Sequence, residues 1–398
     1  MGRVEFTGSR HELFAIIVRG YALMLPTIGL YRFWQATWKR RFYWQNTVID
    51  GEPLEYTGTP SQLLIGFFFA LAFFLPIYIA LFVLSMQDSR YVAWGYAAVA
   101  AIVWFLMGYA IYRARDFRLS RTLWRGIRFD QKGSAFAYGI RRFLWSILMV
   151  ATLGLVYPWM ASSLWRYRWR NTWFGDRHFD IAGRWTAFAG PYFATWFLNA
   201  LTIGSAIAWI AVHRDVQRLG TIVVPGPVGL GYCALCVVVF ALTLAGYRTT
   251  TVSRLLSTVS LGEASITVRL GFAALLGQFV AYVVGIVLVL LLLALTAAFA
   301  LGGVYAVAAA HGRPLDAALA DLLQSSPLDV ALLIAAYLLV LGCFGLLSEV
   351  VLGFGWWRLL ARGSTISNPD SLRSVRATAE DRALIGQGLA DALNVGAY

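Results

Sequence analysis

The residues best suited to chemistry are arginines that alternate with aromatic rings in two stretches of the chain. The first stretch, 31–46, contains Arg41 and ends at Asn46, and the second, 156–171, contains Arg166 and ends at Asn171. We call these stretches the first and second arm. Because a guanidinium group binds phosphate through paired hydrogen bonds, these four residues are candidates for binding an anionic lipid headgroup or an anionic substrate. Alternatively, the arms only anchor the chain in a headgroup layer.

Polar residues inside apolar stretches form a second set of candidates, because such side chains are costly in lipid and often functional. They are Arg19, Asn199, Gln278 and Glu349. Arg19 is a fifth candidate for binding an anionic lipid or substrate, as a charge in a pore or substrate path, and its alternative is to snorkel toward the cytoplasmic interface. Asn199 and Gln278 are expected mainly to hydrogen-bond between helices. Glu349 is expected to pair with an arginine of the arms, and its alternative role is proton coupling.

Cysteine, metal and nucleotide chemistry have little support in the sequence. Cys233 and Cys236 form a C-x-x-C pair that could exchange disulfides, but Cys343 alone leaves no second pair to relay electrons. The histidines lack metal-ligand spacing, and no nucleotide-binding or hydrolase motif occurs. We therefore expect no cofactor, no metal, no catalytic residue and no enzyme activity. Thiol redox activity is kept as the third functional hypothesis.

The composition indicates that these residues belong to a membrane protein. Of 398 residues, 59% are hydrophobic and only 13% are charged, and the mean hydropathy is +0.66. A soluble chain of this size needs more charge to cover its surface. The net charge of +13 is better explained by basic cytoplasmic loops that face anionic lipids than by nucleic acid. Membrane lipids with anionic headgroups are therefore the expected partners, and the oligomeric state stays open.

Apolar stretches and basic loops together predict the topology. Six stretches are long enough to span a bilayer as helices of about 20 residues, namely 62–86, 92–112, 188–212, 226–247, 271–300 and 329–356. Two more, 12–31 and 143–165, contain both glycine and proline. If these two stretches enter and leave on the same side, all basic loops become cytoplasmic. The prediction is six spans, two re-entrant or interfacial segments and cytoplasmic termini, with outer loops at 87–90, 212–225 and 301–328.

An internal tandem repeat connects the two arms. The segment 27–30 recurs at 152–155. With the same offset of 125 positions, Trp34, Trp44, Asn46, Thr47 and Gly58 recur as Trp159, Trp169, Asn171, Thr172 and Gly183. Asp50-Gly51 and Gly175-Asp176 are tight-turn signals between β-like stretches, so each arm is expected to lead into a short cytoplasmic β-hairpin. A weaker hairpin is expected around Gly262, and the hairpins could pair into one sheet. Each Asn is expected to end its arm helix and each following Thr to open the hairpin.

The predicted fold class is mostly α, a polytopic helical membrane protein with short cytoplasmic β-hairpins and an internal repeat. We divide the chain into membrane module 1 at 1–125, membrane module 2 at 126–269, the last two spans at 270–357, and a basic then polar cytoplasmic tail at 358–398. Both modules are expected to have the same orientation, because their arginine loops match.

Five motifs occur in order along the chain. They are ELF at 12–14, TIGLYRFW at 27–34, KRRFYWQNTVIDGEPLEYTG at 39–58, WRNTWFGDRHF at 169–179 and WWRLLARGSTI at 356–366. This order resembles the YjgN-like bacterial inner-membrane proteins. The resemblance implies a location in the bacterial inner membrane. That family is defined by a domain of unknown function, so the resemblance implies no reaction and no catalytic residues.

Three functional hypotheses follow. The first is a protein that binds or transports a lipid or small solute, with the repeated re-entrant segments at the core of the path. The second is a non-catalytic membrane scaffold that uses its arms and hairpins for interaction, and thiol redox activity is the third. A polar cavity between the two re-entrant segments would favour the first hypothesis, whereas a fully packed centre would favour the second.

Overall fold

The computed structural model describes residues 2–86, 91–213, 216–219, 222–312, 314 and 327–377. Its helices are α1 (Arg10–Met24), α2 (Arg32–Gln45), α3 (Pro60–Ser85), α4 (Tyr91–Ser120), α5 (Ala135–Ala151), α6 (Tyr157–Arg170), α7 (Thr186–His213), α8 (Pro227–Leu256), α9 (Phe272–Ala310), α10 (Pro327–Leu347) and α11 (Phe354–Gly363). A π-helical turn, Ser348–Gly353, joins α10 to α11, and a 3-10 helix, Pro369–Ser374, follows.

The strands are short. They are β1 (Gly2–Phe6), β2 (Thr47–Ile49), β3 (Glu52–Pro53), β4 (Glu55–Tyr56), β5 (Thr122–Trp124), β6 (Ile127–Gln131), β7 (Thr172–Phe174), β8 (Arg177–His178), β9 (Asp180–Ile181), β10 (Val216–Leu219), β11 (Ile222–Pro225), β12 (Val259–Leu261), β13 (Ala264–Val268) and β14 (Ser364–Ser367).

Six helices of the described residues are long and apolar enough to cross a bilayer, as the hydropathy predicted. They are α3, α4, α7, α8, α9 and the helix that continues from α10 into α11. At most 11% of any spanning window is buried inside the protein, so these helices mostly face outward, as a lipid environment allows. The predicted outer loop at 212–225 includes the separate hairpin of β10 and β11. The loop at 87–90 and most of 313–326 lie outside the described residues.

The two stretches that contain both glycine and proline, 12–31 and 143–165, form helical hairpins instead of continuous helices. We call α1 with α2 the first hairpin and α5 with α6 the second hairpin. Each turn places a bulky residue and then a glycine in the left-handed region, Ile28 (φ 50) and Gly29 (φ 81) in the first hairpin, Leu153 (φ 50) and Gly154 (φ 91) in the second. Bulky residues rarely adopt positive φ, so the two turns share an unusual backbone.

Hydrogen bonds from side chains satisfy the backbone at both turns. Thr27 and Thr152 each donate to the carbonyl four residues earlier, at 2.6 and 2.7 Å. Each also accepts from the amide four residues later, at 3.1 and 3.4 Å. In the second hairpin, Tyr192 and Trp196 of α7 donate to two further carbonyls of the turn, at 2.7 and 2.9 Å. Backbone groups at a helix turn that lack partners within the helix need such hydrogen bonds.

Each hairpin lies between two spanning helices. The first hairpin packs on α10 through α1 and on α3 through α2, while the second packs on α4 through α5 and on α7 through α6. Close approach between α4 and α5 depends on Gly108 and Gly139, because a Cβ at Gly108 would lie 3.1 Å from the Gly139 Cα. The hairpins are therefore fixed parts of the helix assembly.

The predicted hairpin strands join the strands near both chain ends in one antiparallel arrangement. One sheet has the order β3-β2-β1-β14-β13-β12-β9, and the other has the order β4-β5-β6-β7-β8. The stretch 52–56 belongs to both sheets, because β3 pairs with β2 and β4 with β5. The stretch 177–181 also belongs to both sheets, because β8 pairs with β7 and β9 with β12. The pairing order thus closes on itself, and we call this arrangement the strand ring.

A hydrophobic core fills the strand ring. Trp124 and Phe174 from one sheet pack with Val259 and Ile366 from the other. Leu372 and Val375, which follow β14, belong to the same core. The main-chain amide of Asp176 donates to the Arg376 carbonyl at 3.0 Å. The first part of the stretch predicted as a tail therefore forms regular structure and covers the ring, while residues 378–398 lie outside the described residues.

Element bounds recur along the chain with the offset found in the sequence. Every bound of β1, α2, β2, β3 and β4 reappears 125 positions later as a bound of β6, α6, β7, β8 and β9. Because α3, α7 and α9 begin just after strands of the ring and α4, α8 and α11 end just before them, the ring lies at one end of the six spanning helices.

Candidate functional site

A cavity of ≈ 420 Å³ opens within the second hairpin, near the end of the hairpin that adjoins the strand ring. Its lining contains three arginines and three tryptophans, Arg141, Arg166, Arg170, Trp145, Trp159 and Trp185, together with Ser162 and Ser163. Its volume is in the range usual for small-molecule sites. The cavity lies between the two helices of one hairpin, and not between the two hairpins.

Helical spacing explains why these side chains meet. On α6, Ser162 and Ser163 lie three and four residues after Trp159 and four and three residues before Arg166, and Arg170 lies one turn after Arg166. Residues at such intervals share a face of a helix. Arg141 and Trp145 have the same spacing on α5, so packing of α5 against α6 places both sets around one space.

The guanidinium groups of the cavity have few partners. Arg166 Nη2 donates to Ser162 Oγ at 3.4 Å, and the Arg141 guanidinium carbon lies 4.5 Å from the centroid of the Tyr167 ring. Within the described residues, no carboxylate forms an ion pair with Arg141, Arg166 or Arg170. Since arginine keeps its charge in proteins, the cavity carries three positive charges without a neighbouring negative one.

Asn171 lines this cavity but also ends α6. Its Nδ2 donates to the Tyr167 carbonyl at 2.7 Å, and Thr172 is the first residue of β7. Asn46 ends α2 in the same way, with Nδ2 donating to the Phe42 carbonyl at 2.9 Å. The expectation that each Asn terminates its arm helix therefore agrees with the structure.

Arg41 and Asn46 of the first arm have different contacts from Arg166 and Asn171 of the second arm. Arg41 Nη2 donates to the Gly58 carbonyl at 3.2 Å, and its guanidinium lies 5.5 Å from the Trp38 ring centroid. Asn46 Oδ1 accepts from Thr7 Oγ1 at 3.2 Å. Neither residue lines the cavity of the second hairpin. The structure thus brings together Arg166 and Asn171, but not Arg41 and Asn46 with them.

The helices of the first hairpin are close together where the second hairpin is open. Gly20 occupies the position equivalent to Trp145, and a Cβ there would lie 2.5 Å from the Gln35 side chain. Gln35 is buried and donates to the Ile17 carbonyl at 3.1 Å. Gln35 therefore fills the space between α1 and α2.

Glu349 pairs with a cation of the first arm, but that cation is lysine, not the expected arginine. Lys39 Nζ lies 2.6 Å from Glu349 Oε1, and the pair joins α2 to the π-helical turn. Such turns often occur at functional positions. The Tyr43 hydroxyl is buried nearby without a hydrogen-bond partner in the described residues. Burial, and then the charge of Glu349, raise the pKa of Tyr43 above its ordinary value, so its phenol is neutral.

The remaining predicted polar residues are dispersed. Arg19 is exposed on α1. Asn199 Nδ2 donates to Thr243 Oγ1 at 2.8 Å and so joins α7 to α8, in line with the helix-bonding expectation. Gln278 Oε1 is buried without a partner in the described part of the chain.

The cysteines and the potential metal ligands are the last groups considered for chemistry. Cys233 and Cys236 both have free thiols. These residues also contain no group of three His, Cys, Asp or Glu side chains suited to a metal ion.

Sequence reasoning missed most of the cavity. The periodicity of Trp159, Ser162, Ser163 and Arg170 relative to Arg166 would have identified the α6 face. Arg141 and Trp185 carry no such signal, because only packing against α6 brings them to the cavity.

These features define a polytopic helical membrane protein that carries a ring of short strands at one end and a basic aromatic cavity in one helical hairpin. The profile of the family described as Bacterial protein of unknown function (DUF898) matches residues 1–392, so the chain belongs to this family. The resemblance to YjgN-like proteins is consistent with this membership. No curated protein and no solved structure matches the chain.

Proposed function

We propose that this protein is a multi-pass protein of the bacterial inner membrane that binds anionic phospholipid from the cytoplasmic leaflet. The observation that carries the proposal is the cavity of the second hairpin, where three arginines lie among three tryptophans and form no ion pair with a carboxylate of the described residues. Indole rings collect at membrane interfaces, and guanidinium groups bind phosphate. Binding, and not catalysis, is the activity that this arrangement suits.

The proposed topology has six spans with both termini in the cytoplasm. Pairing of β1 with β14 supports this topology, because it keeps residues near both ends at one side of the spanning helices. The arginine-rich loops follow helix ends on that same side, and basic loops are usually cytoplasmic. The strand ring and both arms would then lie at the cytoplasmic interface.

The two hairpins would re-enter the cytoplasmic leaflet. Their helices have 14 to 17 residues, so each is roughly 21–26 Å long and shorter than the hydrocarbon core. At the turns, 93% of the Ile28 surface and 79% of the Leu153 surface are exposed, which suits contact with acyl chains. The shared backbone of the turns and the constant offset of element bounds support an internal duplication in parallel orientation.

Two other functions are weighed against lipid binding. Transport along a path between the hairpins has less support, because the cavity lies inside one hairpin. A scaffold function is the second candidate, and the strand ring favours it, since the ring joins all three pairs of spanning helices into one cytoplasmic body. In either case, a lipid bound in the cavity would stabilise the protein and would not be its substrate.

Lipid analysis of the purified protein tests the proposal. The full chain is extracted in mild detergent, and its retained lipids are compared with those of the membrane from which it came. Enrichment of anionic phospholipids over the membrane composition is the expected result. Retained lipid with the same composition as the membrane would contradict the proposal.

A further inference from the structure

We infer that the cavity of the second hairpin holds the phosphate group of one lipid molecule and prefers a phosphomonoester headgroup to a phosphodiester. This inference rests on the proposed lipid binding and specifies its chemistry. A headgroup of this kind is found in a lipid whose phosphate is esterified to the glycerol and carries no second alcohol.

Charge is the first argument. Arg141, Arg166 and Arg170 line one cavity, and within the described residues none of them is paired with a carboxylate. A phosphate monoester carries about −1.5 to −2 charges at neutral pH, whereas a diester carries about −1. Three guanidinium groups that face one space therefore stabilise the monoester more.

Available donors are the second argument. Arg166 uses one nitrogen for Ser162, at 3.4 Å, and its other donors have no partner among the described residues. Ser162 and Ser163 add hydroxyl groups to the same lining. A monoester phosphate presents three terminal oxygens as acceptors, and each oxygen accepts readily from arginine.

The aromatic part of the lining indicates that the phosphate belongs to a lipid and is not free phosphate. The rings of Trp159 and Trp185 have centroids 4.6 Å apart, and Trp145 adds a third indole. Free phosphate gains nothing from such surfaces, whereas the glycerol and upper acyl carbons of a lipid lose water against them.

The first hairpin serves as an internal comparison. The positions of Arg141, Trp145 and Arg170 are taken there by Ile16, Gly20 and Gln45. Only the position of Arg166 keeps its arginine, Arg41, and this side chain already bonds to the Gly58 carbonyl. The first hairpin therefore lacks the cluster of cations, and it supplies both the substitutions and the control for a test.

Native mass spectrometry of the full-length protein with added lipid tests the inference. The probes are phosphatidic acid and phosphatidylglycerol with identical acyl chains, and inorganic phosphate. We expect one tightly bound phosphatidic acid per chain, with a Kd about tenfold below that of phosphatidylglycerol. Equal affinities for the two lipids would overturn the inference. Displacement of phosphatidic acid by an equal concentration of inorganic phosphate would overturn the assignment to a lipid.

Variants locate the site. Arg141→Ile and Arg170→Gln replace each arginine with the residue found at the equivalent position of the first hairpin. Each variant is expected to weaken phosphatidic acid binding about tenfold. Arg41→Ala is the matched control and should leave that binding unchanged, whereas an equal loss would contradict the assignment. If Arg141→Ile or Arg170→Gln unfolds, Arg170→Lys tests the site instead. Lysine keeps the positive charge but not the paired donors of arginine, so this variant should lose part of the affinity for phosphatidic acid. If the purified protein is enriched in anionic lipid but binds phosphatidic acid and phosphatidylglycerol equally well, this inference is rejected and the proposed lipid binding still holds.

Discussion

Arg166 and Arg41 occupy equivalent positions, 125 residues apart, in the two arms, but Arg166 lines the cavity of the second hairpin and Arg41 does not. The Arg41 guanidinium donates to the Gly58 carbonyl at 3.2 Å, and Arg166 contacts the Ser162 hydroxyl at 3.4 Å. Two copies of one motif thus differ in what their arginines contact. This difference lets one hairpin act as the control for the other.

The first prediction compares the two arginines. Arg166→Ala should remove most of the anionic phospholipid that co-purifies with the protein, because the cavity loses the cation with free donors. Arg41→Ala should keep this lipid and instead lower stability by about 1 kcal/mol, the usual value of one hydrogen bond. Lipid extraction and thermal unfolding of both variants measure these effects. Equal lipid loss in both would contradict the assignment to the second hairpin.

The second prediction concerns the helix ends at Asn46 and Asn171. Replacing either residue with Ala removes a side-chain hydrogen bond at the end of an arm helix, and should cost about 1 kcal/mol of stability. Asn171 lines the cavity, but its Nδ2 already donates to the Tyr167 carbonyl, so the lipids that the protein retains should not change. If both variants lost lipid at unchanged thermal stability, the asparagines would belong to a binding site and not to the helix ends.

The third prediction concerns the ion pair between Lys39 and Glu349. Both side chains are only partly exposed, at 24% and 16%. Lys39→Met and Glu349→Gln should each destabilise the protein by about 1–3 kcal/mol, since each leaves the partner without its counter-charge. The double variant should cost less than the sum of the single variants. Additive effects in this double-mutant cycle would show that the pair contributes nothing.

The fourth prediction concerns the buried Tyr43 hydroxyl. Its raised pKa keeps it neutral, and it has no partner among the described residues. Tyr43→Phe should therefore leave stability unchanged or raise it by about 1 kcal/mol, because burial of an unpaired hydroxyl is unfavourable. Thermal unfolding at neutral pH measures the effect, with Tyr43→Leu as a control that loses the ring contacts. A clear loss of stability in Tyr43→Phe would indicate a partner for the hydroxyl.

Much of the helical fold follows from the sequence, because spanning helices and hairpin turns carry local signals. Hydropathy located the six spans, and the glycines at Gly29 and Gly154 marked the hairpin turns. The closure of the strand ring has no local signal. It depends on the change of pairing partner at Leu54 and Phe179, within strands of only two residues on each side. Such short strands pair according to their neighbours in space.

The candidate site could be predicted only in part. Arg166 and Asn171 were found because the repeat singled them out, and helical periodicity would have added Arg170. The close approach of the two helices in the first hairpin could not be predicted from the arms, which have similar sequences. It depends on Gly20, which admits the Gln35 side chain between α1 and α2.

In the proposed topology the chain crosses the membrane six times, and both hairpins enter the membrane from the cytoplasm and return to the cytoplasm. Labelling of single cysteines with an impermeant reagent, on a background without the native thiols, tests it directly. Cysteines at positions 50, 130, 176 and 262 should react only after the membrane is opened, whereas those at 88, 216 and 316 should react from outside. Reaction of Asp176→Cys from the periplasmic side would make the second hairpin a true span and contradict the six-span topology.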